Sequence, residues 1–422
     1  MCDYSGAEPL QGCATMVKSD PIGWLESPGT GIGKATIEGR GATKSSATPL
    51  GIGRADMARP KTAQAREPRS APMNGTMGQL PNQGVYSVMD GHSRQYTVVS
   101  MFSGCGGMDL GFIGGFEVFG RRYGSLPFRI IWANEHNPKA CATYRKNISE
   151  NILCCDVWDA LASLPQNSDV LIGGFPCQDI SLNGKRAGVN GRRSGLYKAM
   201  VEAIRWTRPT VFVAENVGSL LMSCNADSLR QVMTDFGKLG YTLSCEPYQA
   251  ADYGVPQTRH RVFIVGTAAE FKPFIRPPAE RTSATWMTAK DAIGDLESLE
   301  ERPEINHIWS RANRSPEQGD RVLKPDRPGY TIRAECHGNI QWHYRLQRRM
   351  SMREAARIQS FPDSFIFDAM LRETERQVGN AVPPILAWHV ARAVLNILQG
   401  TVNDCAERRA TRPFLQMRLP LE

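Results

Sequence analysis

Between residues 96 and 267, short apolar runs alternate with stretches of helical periodicity. Tyr96–Phe102 is β-prone and apolar and reads as a first strand, with a helical stretch from about Met108. Arg129–Asn134 predicts a second strand and a helix follows from about Pro138. Asn151–Cys154 is a short third strand, and Val170–Ile172 a fourth. Leu196–Thr207 has helical spacing, Thr210–Glu215 is a fifth strand, and a helix follows at about Ala226–Leu239. Tyr241–Tyr248 and Arg261–Gly266 are further strands. Strands and helices alternating at these spacings predict an α/β fold with a doubly wound, mostly parallel sheet.

Elsewhere the pattern changes. Residues 1–95 are rich in Gly, Pro, Ser and Thr, without sustained periodicity, and predict a disordered tail that cannot offset its ordering entropy. Gly31-Ile32-Gly33-Lys34 echoes a phosphate loop, but the full spacing is absent. Residues 96–267 form one expected domain. Residues 268–345 are proline-rich with few regular elements and read as a smaller inserted region. Helical periodicity returns at Ser351–Gln359 and at Pro384–Leu398, so 346–400 reads as the C-terminal part of the first domain. Residues 401–422 form a polar tail.

The formal net charge of +8 suits a polyanionic partner without requiring one. The 11 cysteines include no C-x-x-C pair and no regular Cys/His spacing, which reads as reduced thiols and no metal module. No uninterrupted apolar run of about 18 residues is found, so no membrane span is expected. No signal peptide is evident.

The candidate chemistry centres on Gly173-Gly174-Phe175-Pro176-Cys177-Gln178-Asp179-Ile180-Ser181. An apolar strand leads into two glycines, and Pro176 stiffens the turn that presents the Cys177 thiol. Ligands in open α/β sheets bind at the carboxyl ends of strands, where a cysteine is placed for covalent chemistry. A second loop, Phe102-Ser103-Gly104-Cys105-Gly106-Gly107, lies between strand and helix and would let a ligand approach the backbone. Its spacing departs from G-x-G-x-x-G, because Asp109 stands where the third glycine belongs. Glu135 ends the second strand, where an acid accepts from a ribose diol. Asp156 follows the third strand as a candidate acceptor from an adenine amino group. Helix capping is the alternative for either acid. Glu215 closes the fifth strand, where burial raises a carboxyl pKa and suits it to proton transfer. Arg259 and Arg261, two apart in an extended segment, are expected to project together.

Taken together, these motifs resemble the cytosine-specific DNA methyltransferases that make 5-methylcytosine. Phe102–Gly107 is similar to the family's first cofactor motif, and Gly174-Phe175-Pro176-Cys177-Gln178 to its Pro-Cys motif. Glu215-Asn216-Val217 and Gln257-x-Arg259-x-Arg261 match two more. Arg353–Pro362 is similar to the ninth motif and Gln377-Val378-Gly379-Asn380 to the tenth. All occur in the family's order, from about residue 96 to 395. Met108 stands where many relatives carry an aromatic.

The resemblance implies a Rossmann-like, S-adenosylmethionine-dependent methyltransferase sheet with a smaller inserted target-recognition region. It implies Cys177 as the nucleophile, Glu215 at ring nitrogen 3, and Arg261, with Arg259, at the ring oxygen. S-adenosylmethionine would meet Phe102, Ser103, Gly104, Gly106, Gly107, Met108, Glu135, Asp156, Pro176 and Asn380. Double-stranded DNA with a specific short site would meet Gln178, Ser181, Arg186, Arg192, Arg193 and Arg333, the target base leaving the helix. The family analogy further implies a bacterial, nucleoid-associated, cytoplasmic enzyme, the methylase of a restriction-modification system whose endonuclease is encoded nearby. Two rivals are a tRNA cytosine-5 methyltransferase, whose Cys-Phe-Thr tripeptide is absent, and a nucleotide-dependent oxidoreductase. The latter leaves Pro176-Cys177-Gln178 unexplained. Finally, the apolar face of the Pro384–Leu398 helix predicts packing beside the helix after Gly107, which would bring Asn380, in a tight turn, to the cofactor loop.

Overall fold

A computed structural model describes residues 94–176, 195–312, 321–334 and 340–400. The expectations for 1–93, for Cys177, Gln178, Ser181, Arg186, Arg192 and Arg193, and for 401–422 lie outside these residues.

The chain opens with β1 (Tyr96–Met101), α1 (Gly107–Ile113) and a hairpin of β2 (Phe116–Val118) and β3 (Arg121–Tyr123). β4 (Phe128–Glu135), α2 (Pro138–Asn147), β5 (Leu153–Cys154), α3 (Val157–Ala160) and β6 (Val170–Gly174) follow. Next come α4 (Leu196–Thr207), β7 (Val211–Val217), α5 (Ala226–Gly237), β8 (Tyr241–Gln249), β9 (Gln257–Thr258) and β10 (His260–Ala268). The remainder holds α6 (Ala289–Ile293), β11 (Gly329–Tyr330), α7 (Met352–Ile358), α8 (Leu371–Asn380) and α9 (Pro384–Leu398).

Among the described residues, the main sheet has seven strands in the order β5-β4-β1-β6-β7-β10-β8. The first five run parallel, while β10 lies antiparallel to both β7 and β8. Chain order proceeds outward from β1 to β4 and β5, then restarts on the other side with β6 and β7. The reversal between β1 and β6 opens a crevice at their carboxyl ends, the place where open α/β sheets bind ligands.

Each face of the sheet is covered. Val98, Ile172, Val213 and Phe263 bury one face against α1 and α9. Val99, Leu171, Phe212 and Ile264 bury the other against α3, α4 and α5. Alternation along each strand assigns side chains to faces, as the pleat requires. A third apolar cluster joins Ala292, Leu323, Ile332 and Met350 to Ile358, Phe361 and Val378.

The expected contact between α9 and α1 is present. Gly111 lies against α9 so closely that an added Cβ would stand 2.7 Å from the Pro384 carbonyl oxygen. Proline begins α9, where its missing N–H has no partner to lose. The Leu371–Leu398 stretch is long and apolar enough to cross a membrane, but α8 and α9 are interrupted at 381–383 and its apolar window is mostly buried inside the protein.

Several elements differ from the sequence reading, among them the β2–β3 hairpin and the segment at Gln377–Asn380. The β2–β3 hairpin was not expected, because its apolar residues are few and its tip places Phe119 at φ 54° beside Gly120 at φ 67°. The expected tight turn at Gln377–Asn380 is the last turn of α8. Gly379 there serves close packing, since a Cβ would stand 2.6 Å from the Arg333 carbonyl carbon.

Candidate active site

The carboxyl end of β1 supplies the glycine loop. Phe102 takes φ 53°, a left-handed conformation that a bulky residue rarely holds without a surrounding constraint. That constraint is partly visible: the Ser103 N–H donates to the Asn134 carbonyl (3.0 Å), and the Gly106 N–H to Ser103 (3.0 Å). Ser103 Oγ is buried against Ser100 Oγ (2.9 Å).

The three loop glycines have different neighbours. At Gly104 (φ 58°) an added Cβ meets nothing within 4 Å, so the backbone faces open space. At Gly106 (φ 96°) it would stand 2.6 Å from Ile148 Cγ1, against α2. At Gly107 it would stand 2.5 Å from the Val382 carbonyl oxygen. Met108 is buried in the core beneath α1 with Phe112. The Cβ directions of Gly106 and Gly107 and the Met108 side chain thus face protein, and Gly104 is the loop glycine with room beside it.

Glu135 ends β4 next to this space. Its Oε2 accepts the Gly104 N–H (3.0 Å), and its Oε1 accepts the Asn137 N–H (2.9 Å) and lies 3.0 Å from His136 Nδ1. Burial opposes its ionisation, but His136 and these backbone donors prevail and hold it below the usual carboxylate range. Asp156, after β5, is exposed and caps α3 by accepting the Trp158 N–H (2.9 Å). Asn380 is exposed at the end of α8. Its neighbours reach the loop: the Gln377 carbonyl accepts from Cys105 Sγ (3.9 Å), and an added Cβ at Gly107 would stand 3.1 Å from Ala381 Cβ.

Beneath the loop lies a group not singled out as functional. Asp109 is fully buried on α1, and its Oδ1 accepts from the Tyr144 hydroxyl (2.8 Å). Burial is the largest influence and pushes its carboxyl up to about 6, although Tyr144 and Ser100 pull the other way. A folded-state pKa raised from 3.8 to about 6 means the native state binds a proton that the unfolded state has released. Stability should therefore fall as pH rises from about 4 to about 6, by roughly 3 kcal/mol, and stay reduced above that. Asp109→Asn should flatten this segment of a chemical-denaturation series measured from pH 4 to 8.

The second half of the candidate site lies at β6, β7 and β10. Gly174 is in register with Glu215 on β7, and an added Cβ at Gly174 would stand 2.9 Å from Glu215 Oε2. Glu215 and Arg261 are diagonal neighbours on one face of the antiparallel β7–β10 pair. Arg261 Nε lies 2.8 Å from Glu215 Oε1, with both side chains about nine-tenths buried. Because β10 runs antiparallel, its amino end meets the carboxyl end of β7, which is how Arg261 reaches the site. Burial raises the Glu215 pKa, with Arg261 and then Arg259 opposing the rise.

Asn216 was noted only as part of a motif. Its Nδ2 donates to the Phe175 carbonyl (3.0 Å), pinning the turn after Gly174 to the strand that carries Glu215. Pro176 is exposed at the end of that turn. Arg259 does not project alongside Arg261 as expected. It sits between β9 and β10, fully buried, and donates to the carbonyls of Ile332 (3.0 Å), Gly379 (2.8 Å) and Ala381 (3.0 Å). Gln257 completes this junction: its side chain accepts the Ile332 N–H (3.1 Å) and donates to Gln359, which in turn donates to Ala381. Arg333, the next residue after Ile332, is exposed.

The residues brought together are thus Gly104 with Glu135, and Gly174 with Glu215, at the carboxyl ends of the parallel strands, with Arg261 added from the amino end of the antiparallel β10. Comparison with known proteins gives this arrangement a lineage. The family model for C-5 cytosine-specific DNA methylase matches residues 96–324 and 310–396. Type II methyltransferase M.NgoFVII of Neisseria gonorrhoeae is 34% identical over 345 residues, covering 74% of this chain and 89% of that protein. Type II methyltransferase M.BbvI of Brevibacillus brevis is 31% identical, covering 70% and 89%. In fold, the chain is similar to the solved Entamoeba histolytica methyltransferase EhMeth, with TM-score 0.54 at 17% identity, covering 72% of this chain and 99% of that one. The chain belongs to the C-5 cytosine-specific DNA methylase family and is a DNA cytosine-5 methyltransferase.

Proposed function

We propose that this enzyme moves a methyl group from S-adenosylmethionine to carbon 5 of a cytosine turned out of double-stranded DNA, through a transient bond to Cys177. The observation that carries the reading is the placement of Glu215 Oε2 over Gly174, three residues before Cys177 in the chain, with Arg261 on the other carboxylate oxygen.

The chemistry follows from the residues. Carbon 5 of cytosine is a poor nucleophile while the ring is aromatic. The Cys177 thiolate adds to carbon 6, and the ring becomes an enamine whose carbon 5 is nucleophilic. Glu215, whose carboxyl pKa burial raises, donates a hydrogen bond or a proton to nitrogen 3 and so favours the addition. Arg261 holds the carboxyl in place and faces the ring oxygen. Loss of the carbon 5 proton and of the thiolate restores the ring. Arg259 is a positioning residue: it ties β10 to residues 332, 379 and 381.

S-adenosylmethionine supplies the methyl group when bound. The open space at Gly104, the fixed Glu135 carboxylate and the strained Phe102 backbone fit its adenosine part, and Ser103, Asp156, Pro176 and Asn380 are proposed to complete the site. Residues 268–345, including the exposed Arg333, would read the short recognition site, with Gln178, Ser181, Arg186, Arg192 and Arg193 near the displaced base and phosphates. The relatives' names, type II methyltransferases, support a type II modification enzyme, which by family analogy would have a partner endonuclease and work in the cytoplasm.

Bisulfite sequencing of DNA from cells expressing the chain should reveal 5-methylcytosine at one short sequence; methylation absent, or on adenine, overturns the reading. The cofactor assignment has its own test. Gly104→Ala should lower S-adenosylmethionine affinity in calorimetry at least ~10-fold while costing only about 1 kcal/mol of stability, because its Cβ projects into free space. Gly107→Ala should do the reverse, lowering the melting temperature through the clash with Val382.

A further inference from the structure

Glu135 is flanked by two thiols that the methyl-transfer chemistry does not use. Cys141, on α2, is fully buried, and its Sγ donates to the Glu135 carbonyl oxygen (3.4 Å). Cys154, on β5, is exposed, and its Cα pairs with Glu135 in the parallel β4–β5 register. Neighbouring strands lie about 4.8 Å apart, so both cysteines converge on one residue. Cys154 lies close enough to Cys141 to help push the Cys141 thiol pKa up. Cys155, the next residue, is instead approached by Asn134 Nδ2 (3.8 Å) on the other side of the strand.

We propose that Cys141 and Cys154 form an oxidation site, in which a peroxide converts the pair to a disulfide and thereby weakens cofactor binding. The second half of that statement rests on the reading of Glu135 as a cofactor contact.

The two thiols are unequal, which sets the order of events. Cys154 is open to solvent, while burial, then the neighbouring Cys154, pushes the Cys141 thiol up and disfavours its thiolate. Hydrogen peroxide therefore oxidises Cys154 first: the sulfur takes one peroxide oxygen to become a sulfenic acid, and the other oxygen leaves as water. Cys141 then attacks that sulfur, the S–S bond forms, and the hydroxyl leaves with the thiol proton as a second water. The peroxide is the two-electron oxidant, and added dithiol reverses the reaction.

The consequence follows from what Cys141 holds. In the reduced protein its thiol donates to the Glu135 carbonyl, and α2 is capped by Asn137, whose N–H in turn donates to the Glu135 carboxylate. A disulfide removes the first contact and draws α2 toward β5. The Glu135 carboxylate, which also receives the Gly104 N–H, then loses its orientation.

The test uses full-length protein carrying Cys177→Ser, so that oxidation of the proposed nucleophile does not enter. After treatment with hydrogen peroxide, peptide mapping by mass spectrometry without reductant should show a Cys141–Cys154 crosslinked peptide. S-adenosylmethionine affinity by calorimetry should fall at least ~10-fold and return after dithiothreitol. Cys154→Ser, at an exposed position, should give no such peptide and keep its affinity through the same treatment. Absence of the crosslinked peptide overturns the proposal. So does a crosslinked protein that binds the cofactor as well as the reduced one. Failure of the reduced protein to bind S-adenosylmethionine would instead reject the cofactor reading, and the peptide map would still decide the thiol pair.

Discussion

Cys177→Ala should eliminate methyl transfer, with a loss of at least ~10⁴-fold, while cofactor affinity changes little. Covalent addition splits a difficult substitution on an aromatic ring into steps that each have a workable barrier. Removing the nucleophile leaves positioning without activation. Each tenfold loss corresponds to about 1.4 kcal/mol of barrier, so a 10⁴-fold loss is about 5.5 kcal/mol. The direct measurement uses DNA with 5-fluorocytosine at the target. Fluorine cannot leave as the proton does, so the wild-type enzyme should remain bound to DNA through denaturing electrophoresis. The alanine variant should form no such complex. A denaturant-resistant adduct in Cys177→Ala would remove this cysteine from the mechanism.

Glu215→Gln should give the second largest loss, ~10²–10⁴-fold in single-turnover rate, the range expected for a positioned proton donor. The glutamine keeps the shape and can still hydrogen-bond, so DNA and cofactor binding should be nearly retained. The pH dependence makes the test specific. Burial raises the Glu215 pKa against the pull of Arg261 and Arg259, so its acid form persists above the ordinary carboxylate range. The wild-type rate should fall as pH rises through that raised pKa, because the proton on Glu215 is lost. The glutamine variant has no such proton, and its residual rate should lack that fall. A variant with unchanged rate, or with the same pH profile, would assign Glu215 to structure alone.

The Arg259 environment illustrates how far residue spacing carries. Two arginines two apart in an extended stretch suggest a shared direction. A break between β9 and β10 separates them instead, so Arg261 continues into the sheet and Arg259 turns into the protein. Likewise, three glycines in one loop suggest three places of ligand approach. Only at Gly104 is the space beside the backbone empty, while Gly106 and Gly107 yield to α2 and to the segment before α9. Helix α8 was illegible for another reason. Its sequence, Leu371 to Asn380, is mostly polar, and its helical state depends on burying Thr374, Glu375, Gln377 and Val378 against distant segments.

The sequence by itself determined the alternation of strands and helices, the strand ends that carry Glu135 and Glu215, and the apolar face of α9 that covers α1. These are local properties, because the period of apolar residues and the positions of Gly and Pro act within a few residues of backbone. The tertiary structure alone decided that β10 runs antiparallel beside β7, which brings Arg261 to Glu215, and that Gly174 sits under that carboxylate. It also decided that Cys141 and Cys154 converge on Glu135. Periodicity reports which side of an element is buried but not which partner buries it. Ion pairs, steric fit and thiol contacts act over a few ångströms between residues remote in the chain, and only packing sets those distances.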